Sequence, residues 1–90
     1  MQIVHDPAGH RFAAELPSGT AVLAYAPAGE AVVDFYSTYV PPSERGRGVA
    51  GRLVDAGLAW ARAEGLQVIP TCWFVAQWIK AHPEHADLQA

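Results

Sequence analysis

The chain of 90 residues carries one cysteine, one methionine and one lysine, and only 17% of its residues are charged. A single thiol excludes an intramolecular disulfide framework, so the fold must be held by its apolar core, and a reducing, cytoplasmic setting is expected. One cysteine with scattered histidines, His5 and His10 read in the first strands and His82 and His85 late in the chain, has no zinc-ligand spacing, so no metal is expected. No apolar run approaches the ~20 residues of a membrane span, and Met1-Gln2-Ile3-Val4-His5 lacks the basic-then-apolar pattern of a signal peptide. Membrane insertion and processing are therefore not expected. A net charge of −3 argues against nucleic-acid binding, which needs a basic surface to displace counterions from phosphates.

What is present is apolar: 51% of residues are hydrophobic. A chain of this size buries roughly two thirds of its unfolded surface, enough for one domain over residues 1–90 and too little for two. The first half reads as β. Ile3-Val4 is a short strand, Arg11–Leu16 a second, and Pro17-Ser18-Gly19 a turn into a third strand, Thr20–Ala26. Pro27-Ala28-Gly29 is read as the next turn, and Ala31–Val40 as the longest strand, stopped by Pro41-Pro42, which cannot donate to a ladder. From Gly48 to Glu64 the period changes: Arg52, Asp55 and Arg62 share one stripe, while Val49, Leu53, Val54, Leu58 and Trp60 cover the rest of a helix. Gly65 closes that helix, Leu66–Pro70 is a short buried strand, and Cys72–Ala81 is a second helix broken at Pro83, with one more turn through Leu88. A strand, a crossover helix and a strand in one direction must pair in parallel. The expected class is an α/β (α+β) mixed sheet: an antiparallel meander, a βαβ crossover and C-terminal helices.

Three of the six basic residues, Arg45, Arg47 and Arg52, fall in one eight-residue window that also holds Gly46, Gly48 and Gly51. This window joins a strand end to a helix start, where free N–H groups and the helix dipole attract anions and glycine lets a phosphate approach the backbone. It has neither the Lys-Ser/Thr ending of a P-loop nor the spacing of a dinucleotide fingerprint, so a different pyrophosphate ligand is indicated. Arg45, Gly48 and Ala50 form an Arg-x-x-Gly-x-Ala pattern that resembles the acetyl-CoA loop of the GNAT superfamily of N-acyltransferases. The minimal single-domain members are resembled along nearly the whole chain, through Asp34-Phe35-Tyr36, Thr38-Tyr39-Val40-Pro41, Arg45-Gly46-Arg47-Gly48-Val49-Ala50, Ile69-Pro70-Thr71-Cys72 and His82-Pro83-Glu84.

The resemblance implies a GNAT-like fold with acetyl-CoA as cosubstrate, its pantetheine arm against the backbone near Tyr39 and Val40 and its pyrophosphate on Arg45, Gly46, Arg47, Gly48, Val49 and Ala50. It implies acetyl transfer to an amine whose identity is open, small molecule or protein, by a monomer or a homodimer. Members of the subfamily commonly carry His directly before Thr-x-Val, where this chain has Ser37. Ser37 and Thr38 stand with Cys72 as candidate catalytic residues. Cys72, near a helix start whose dipole favours thiolate, has three readings: a nucleophile toward the thioester, a wall beside the CoA sulfur, or inert core. His82 and His85 read as surface or capping residues, or as phosphate contacts or bases; Glu44 and Asp34 are alternative bases, read as a solvated residue and a strand-face residue; Trp60, Trp73 and Trp78 read as core and rim. Two rivals remain: an acyl-CoA-binding protein without turnover, since Ser37 replaces an acid–base group, and a protein-interaction domain.

Overall fold

The computed structural model describes residues 1–90. Five strands lie in sequence order in one sheet: β1 (Val4–Asp6), β2 (Arg11–Leu16), β3 (Gly19–Gly29), β4 (Val32–Tyr39) and β5 (Gln67–Ile69). The first four pair antiparallel and β4 pairs β5 in parallel, as meander and crossover require. Helix α1 (Val49–Ala63) makes the crossover, α2 (Trp73–Ala81) follows β5, and a 3-10 segment, Pro83–Leu88, ends the chain's regular structure. The C-terminus returns to the sheet, where Ala90 donates its N–H to the Val68 carbonyl and caps the free edge of β5.

One apolar cluster joins both helices to one face of the sheet: Phe12, Leu23, Phe35 and Val68 from strands, Leu53, Leu58 and Val75 from helices, all nearly inaccessible. The stripe of Arg52, Asp55 and Arg62 faces solvent, as the periodicity predicts. The opposite face of the sheet is uncovered, leaving Val4, Tyr39 and Ile69 exposed. No helix is long and apolar enough to cross a membrane.

Two local expectations are corrected. Pro27-Ala28-Gly29 is not a turn but the end of β3, and the chain reverses at Glu30-Ala31, with Ala31 at φ 56°. His10 lies in the turn between β1 and β2, at φ 52°, rather than in a strand. A further feature is a bulge in β4: Tyr25 pairs with Phe35 but Ala24 pairs with Ser37, leaving Tyr36 extra. The extra residue shifts the inward phase from Val33 and Phe35 to Thr38 and Val40.

Candidate functional site

Beyond β4, Pro41 and Pro42 end the ladder and Pro42–Glu44 forms one 3-10 turn. Arg45 Nε donates to the Val40 carbonyl at 2.9 Å, tying the loop back to the strand. Gly46 and Gly48 are both left-handed, at φ 83° and 79°, a conformation that L side chains adopt at a cost. A Cβ at either glycine would meet nothing within 4 Å, so both backbones border open space. Gly48 caps α1 without a side-chain bond, and the first intrahelical donor is the Arg52 N–H, to the Gly48 carbonyl. The N–H groups of Val49, Ala50 and Gly51 therefore have no partner inside the helix, which makes the turn a cradle of donors at the positive end of a helix dipole.

The cradle opens on a groove of about 550 Å³ lined by Thr38, Val40, Arg45, Gly48, Phe74 and Trp78 among others. At its far end the parallel strands separate. The β4–β5 pairing runs only from Val32 to Asp34, followed by a bond from the Cys72 N–H to the Phe35 carbonyl, so the edge of β4 beyond Phe35 is unpaired on that side. Across the opening Thr38 Oγ1 lies 3.4 Å from Cys72 Sγ. Cys72 is half-buried and is the N-cap of α2.

Of the residues singled out by sequence, Thr38, Val40, Glu44, Arg45, Gly46, Gly48, Val49 and Ala50 line this one groove, and Cys72 joins it through Thr38. Ser37 does not join Thr38 and Cys72: its strand partner is Ala24, whereas Thr38 pairs with the fully buried Leu23, so the two neighbours face opposite sides of the sheet. Tyr39 is half-exposed, and Arg47 is exposed with its guanidinium 3.7 Å from Glu44. Glu44 corrects an expectation. It is 8% exposed, not solvated, and accepts a bond from Ser18 Oγ at 3.1 Å. Asp34 is a strand-face residue as expected, with Oδ1 buried and unpartnered.

Three of the four histidines have polar partners of their own. His82 Nδ1 is 2.7 Å from the Trp78 carbonyl oxygen, and His85 Nε2 is 3.3 Å from Asp55 Oδ1. His5 stacks on Phe12 with ring centroids 4.2 Å apart, and its Nε2 is 2.6 Å from the Tyr25 hydroxyl. Burial in that cluster pushes the His5 imidazole below its ordinary pKa and the Tyr25 phenol above its own. Sequence reasoning missed Phe74 as a groove residue and took Trp78 for core and rim; both stand at i and i+4 on α2, which the helical spacing of Phe74, Val75, Trp78 and Ile79 signals as one connected surface.

Residues 11–88 match the family model described as GCN5-related N-acetyl-transferase. The chain belongs to that family. Protein NATD1 of Gallus gallus is 35% identical over 85 residues, covering 92% of this chain and 77% of its own, and the Homo sapiens protein of the same name is 34% identical, covering 92% and 75%. A GCN5-like protein of Staphylococcus aureus, solved in solution by NMR, shares the fold at a TM-score of 0.74 and 17% identity, over 99% of this chain and 87% of its own. Both the mixed five-stranded sheet and the family membership expected from the motifs are thus established.

Proposed function

We propose that this member of the N-acetyltransferase family binds acetyl-CoA in the groove beneath the Arg45–Ala50 turn and transfers the acetyl group to an amine by direct attack. The observation that carries the reading is the cradle itself: two left-handed glycines and the uncapped start of α1 aim unpaired N–H groups at open space beside the groove. Acetyl-CoA, when bound, supplies an activated acetyl thioester. The N–H groups of the turn hold its pyrophosphate, Arg47 reaches the outer phosphate from its exposed position, and the unpaired edge at the end of β4, near Tyr39 and Val40, offers main-chain partners to the pantetheine amides, with the Val40 carbonyl shared with Arg45 Nε. The thioester then lies at the opening between Thr38 and Cys72.

Direct attack by a neutral amine forms the C–N bond, breaks the C–S bond and passes the amine proton to the departing thiolate. This route is favoured because the one side-chain partner of the Cys72 thiol is the Thr38 hydroxyl, and no imidazole or carboxylate touches it to act as its base. In this reading Cys72 lines the pocket beside the sulfur, Thr38 orients it, and Ser37 stands on the uncovered face of the sheet. The protein acts in the cytoplasm as one domain, alone or as a homodimer, on a small-molecule or protein amine.

Intact-mass measurement after incubation with acetyl-CoA, on the wild type and Cys72→Ala, separates the routes. Direct transfer predicts an unmodified Cys72 and transfer retained within a fewfold in Cys72→Ala. An acetyl group on Cys72 that passes to added amine, with labelling and transfer lost together in Cys72→Ala, would establish the covalent route instead.

A further inference from the structure

Trp78 is held in place from α1 rather than from its own helix. A Cβ on Gly51 would clash with Cη2 and Cζ3 on the benzo edge of the Trp78 indole, so the ring rests directly on the backbone of α1 at that position. One turn later Asp55 Oδ1 accepts the indole N–H at 2.7 Å. Gly51 and Asp55 are four apart and therefore share a face, one receiving the benzo edge and the other the polar edge of the same ring. On α2 the ring continues a ladder. Phe74 lies 5.9 Å from Trp78 at an interplanar angle of 24°, and His82 lies 4.0 Å away at 27°. Phe74, Trp78 and Gly51 all line the groove, so the position of the indole sets the width of the groove next to the donor cradle.

Asp55 itself is no part of the core. Its side chain is 53% exposed, and its second neighbour is another ring, with His85 Nε2 at 3.3 Å from the same Oδ1. An exposed carboxylate that serves only packing has no reason to point at an indole N–H. A charged acceptor at 2.7 Å gives that bond direction and strength, whereas stacking alone would let the ring slide over the flat glycine surface.

We propose that Asp55 is a positioning residue of the cofactor groove: by fixing the Trp78 indole over Gly51 it keeps the wall of the groove in the orientation that admits coenzyme A. The inference rests on the acetyl-CoA reading above. Asp55 touches no ligand and acts through Trp78, with His85 bracing its carboxylate from the other side.

The test is calorimetric titration of coenzyme A into the wild type, Asp55→Asn and Asp55→Leu, with the indole N–H signals of the same proteins followed by NMR. Asparagine keeps an acceptor of the same shape, so Asp55→Asn is expected to bind within about twofold of wild type and to leave the Trp78 indole signal in place. Asp55→Leu is expected to bind roughly five- to tenfold more weakly, the scale of one net hydrogen bond, and to move that signal. Wild-type affinity in Asp55→Leu overturns the role of Asp55 alone, as do equal losses in both variants, which would point to charge and not to the bond. A folded wild type that binds no coenzyme A overturns the acetyl-CoA reading and this role with it. Asp55→Ala, which removes the acceptor without adding a branched side chain, carries the same test if the leucine variant does not fold: the same several-fold loss is expected, and wild-type affinity overturns the proposal.

Discussion

At the scale of single residues, the anion loop works through backbone, and its arginines are less free than their sequence suggests. Arg45, the first residue of the motif, directs Nε to the Val40 carbonyl, and Arg47 lies near the carboxylate of Glu44. Position 44 was expected to be solvated because an acidic residue in a polar turn usually is. Its burial depends on Ser18, which lies 26 positions earlier in the chain in the turn between β2 and β3, and no local pattern signals such a contact. Glycines 46 and 48 were legible for a simpler reason: a positive φ and close backbone approach are local requirements that only glycine meets without cost. Asp55 and Trp78 fall between these cases, since each helix face was readable from its spacing but their meeting across two helices was not.

At the scale of elements, α1 lies close on the sheet because Gly57 has no side chain. A Cβ there would come within 2.8 Å of Leu23 Cδ2 and 3.0 Å of Phe35 Cζ, both fully buried. Gly57→Ala gains helix propensity but overpacks the core, so it is expected to lose about 1–3 kcal/mol of stability, read as a lower urea midpoint at unchanged slope. A variant as stable as wild type would show that helix and sheet can part at no cost. The helices and their solvent stripe were legible from periodicity, because one face of each element must be apolar, and the parallel pairing of β4 and β5 was legible from the helix that joins them. The bulge at Tyr36 was not. Val33, Phe35, Thr38 and Val40 point inward only if one residue is skipped, and in an apolar strand rich in β-formers either phase looks acceptable. Proline at position 27 misled for a related reason: it reads as a turn, yet β3 carries it where the pairing with β4 becomes irregular, between Pro27 and Gly29.

At the scale of the whole molecule, the sheet has a sealed end and an open one. Around β1, the rings of His5, Phe12, Tyr25 and Trp60 pack together, with His5 and Trp60 centroids 4.9 Å apart. Burial holds His5 below its unfolded pKa of 6.5, so below that pH the unfolded chain binds a proton that the folded one resists. Stability from this group is complete above about pH 6.5 and is lost as pH falls toward the lowered folded value. His5→Phe, which cannot titrate, is expected to show a smaller drop in melting temperature between pH 7.5 and 5.5 than wild type; an equal drop would assign the pH dependence elsewhere. At the open end, β4 and β5 separate between Thr38 and Cys72, and the donor cradle at the start of α1 faces the same groove. Whether that cradle binds the pyrophosphate of acetyl-CoA is decided by calorimetric titration of acetyl-CoA into the wild type and Gly48→Val. Saturable binding is expected for the wild type and none for the variant, whose left-handed valine costs only about 1–2 kcal/mol and leaves the protein folded but fills the phosphate's approach. Wild-type affinity in folded Gly48→Val, or no binding by the wild type itself, would contradict it.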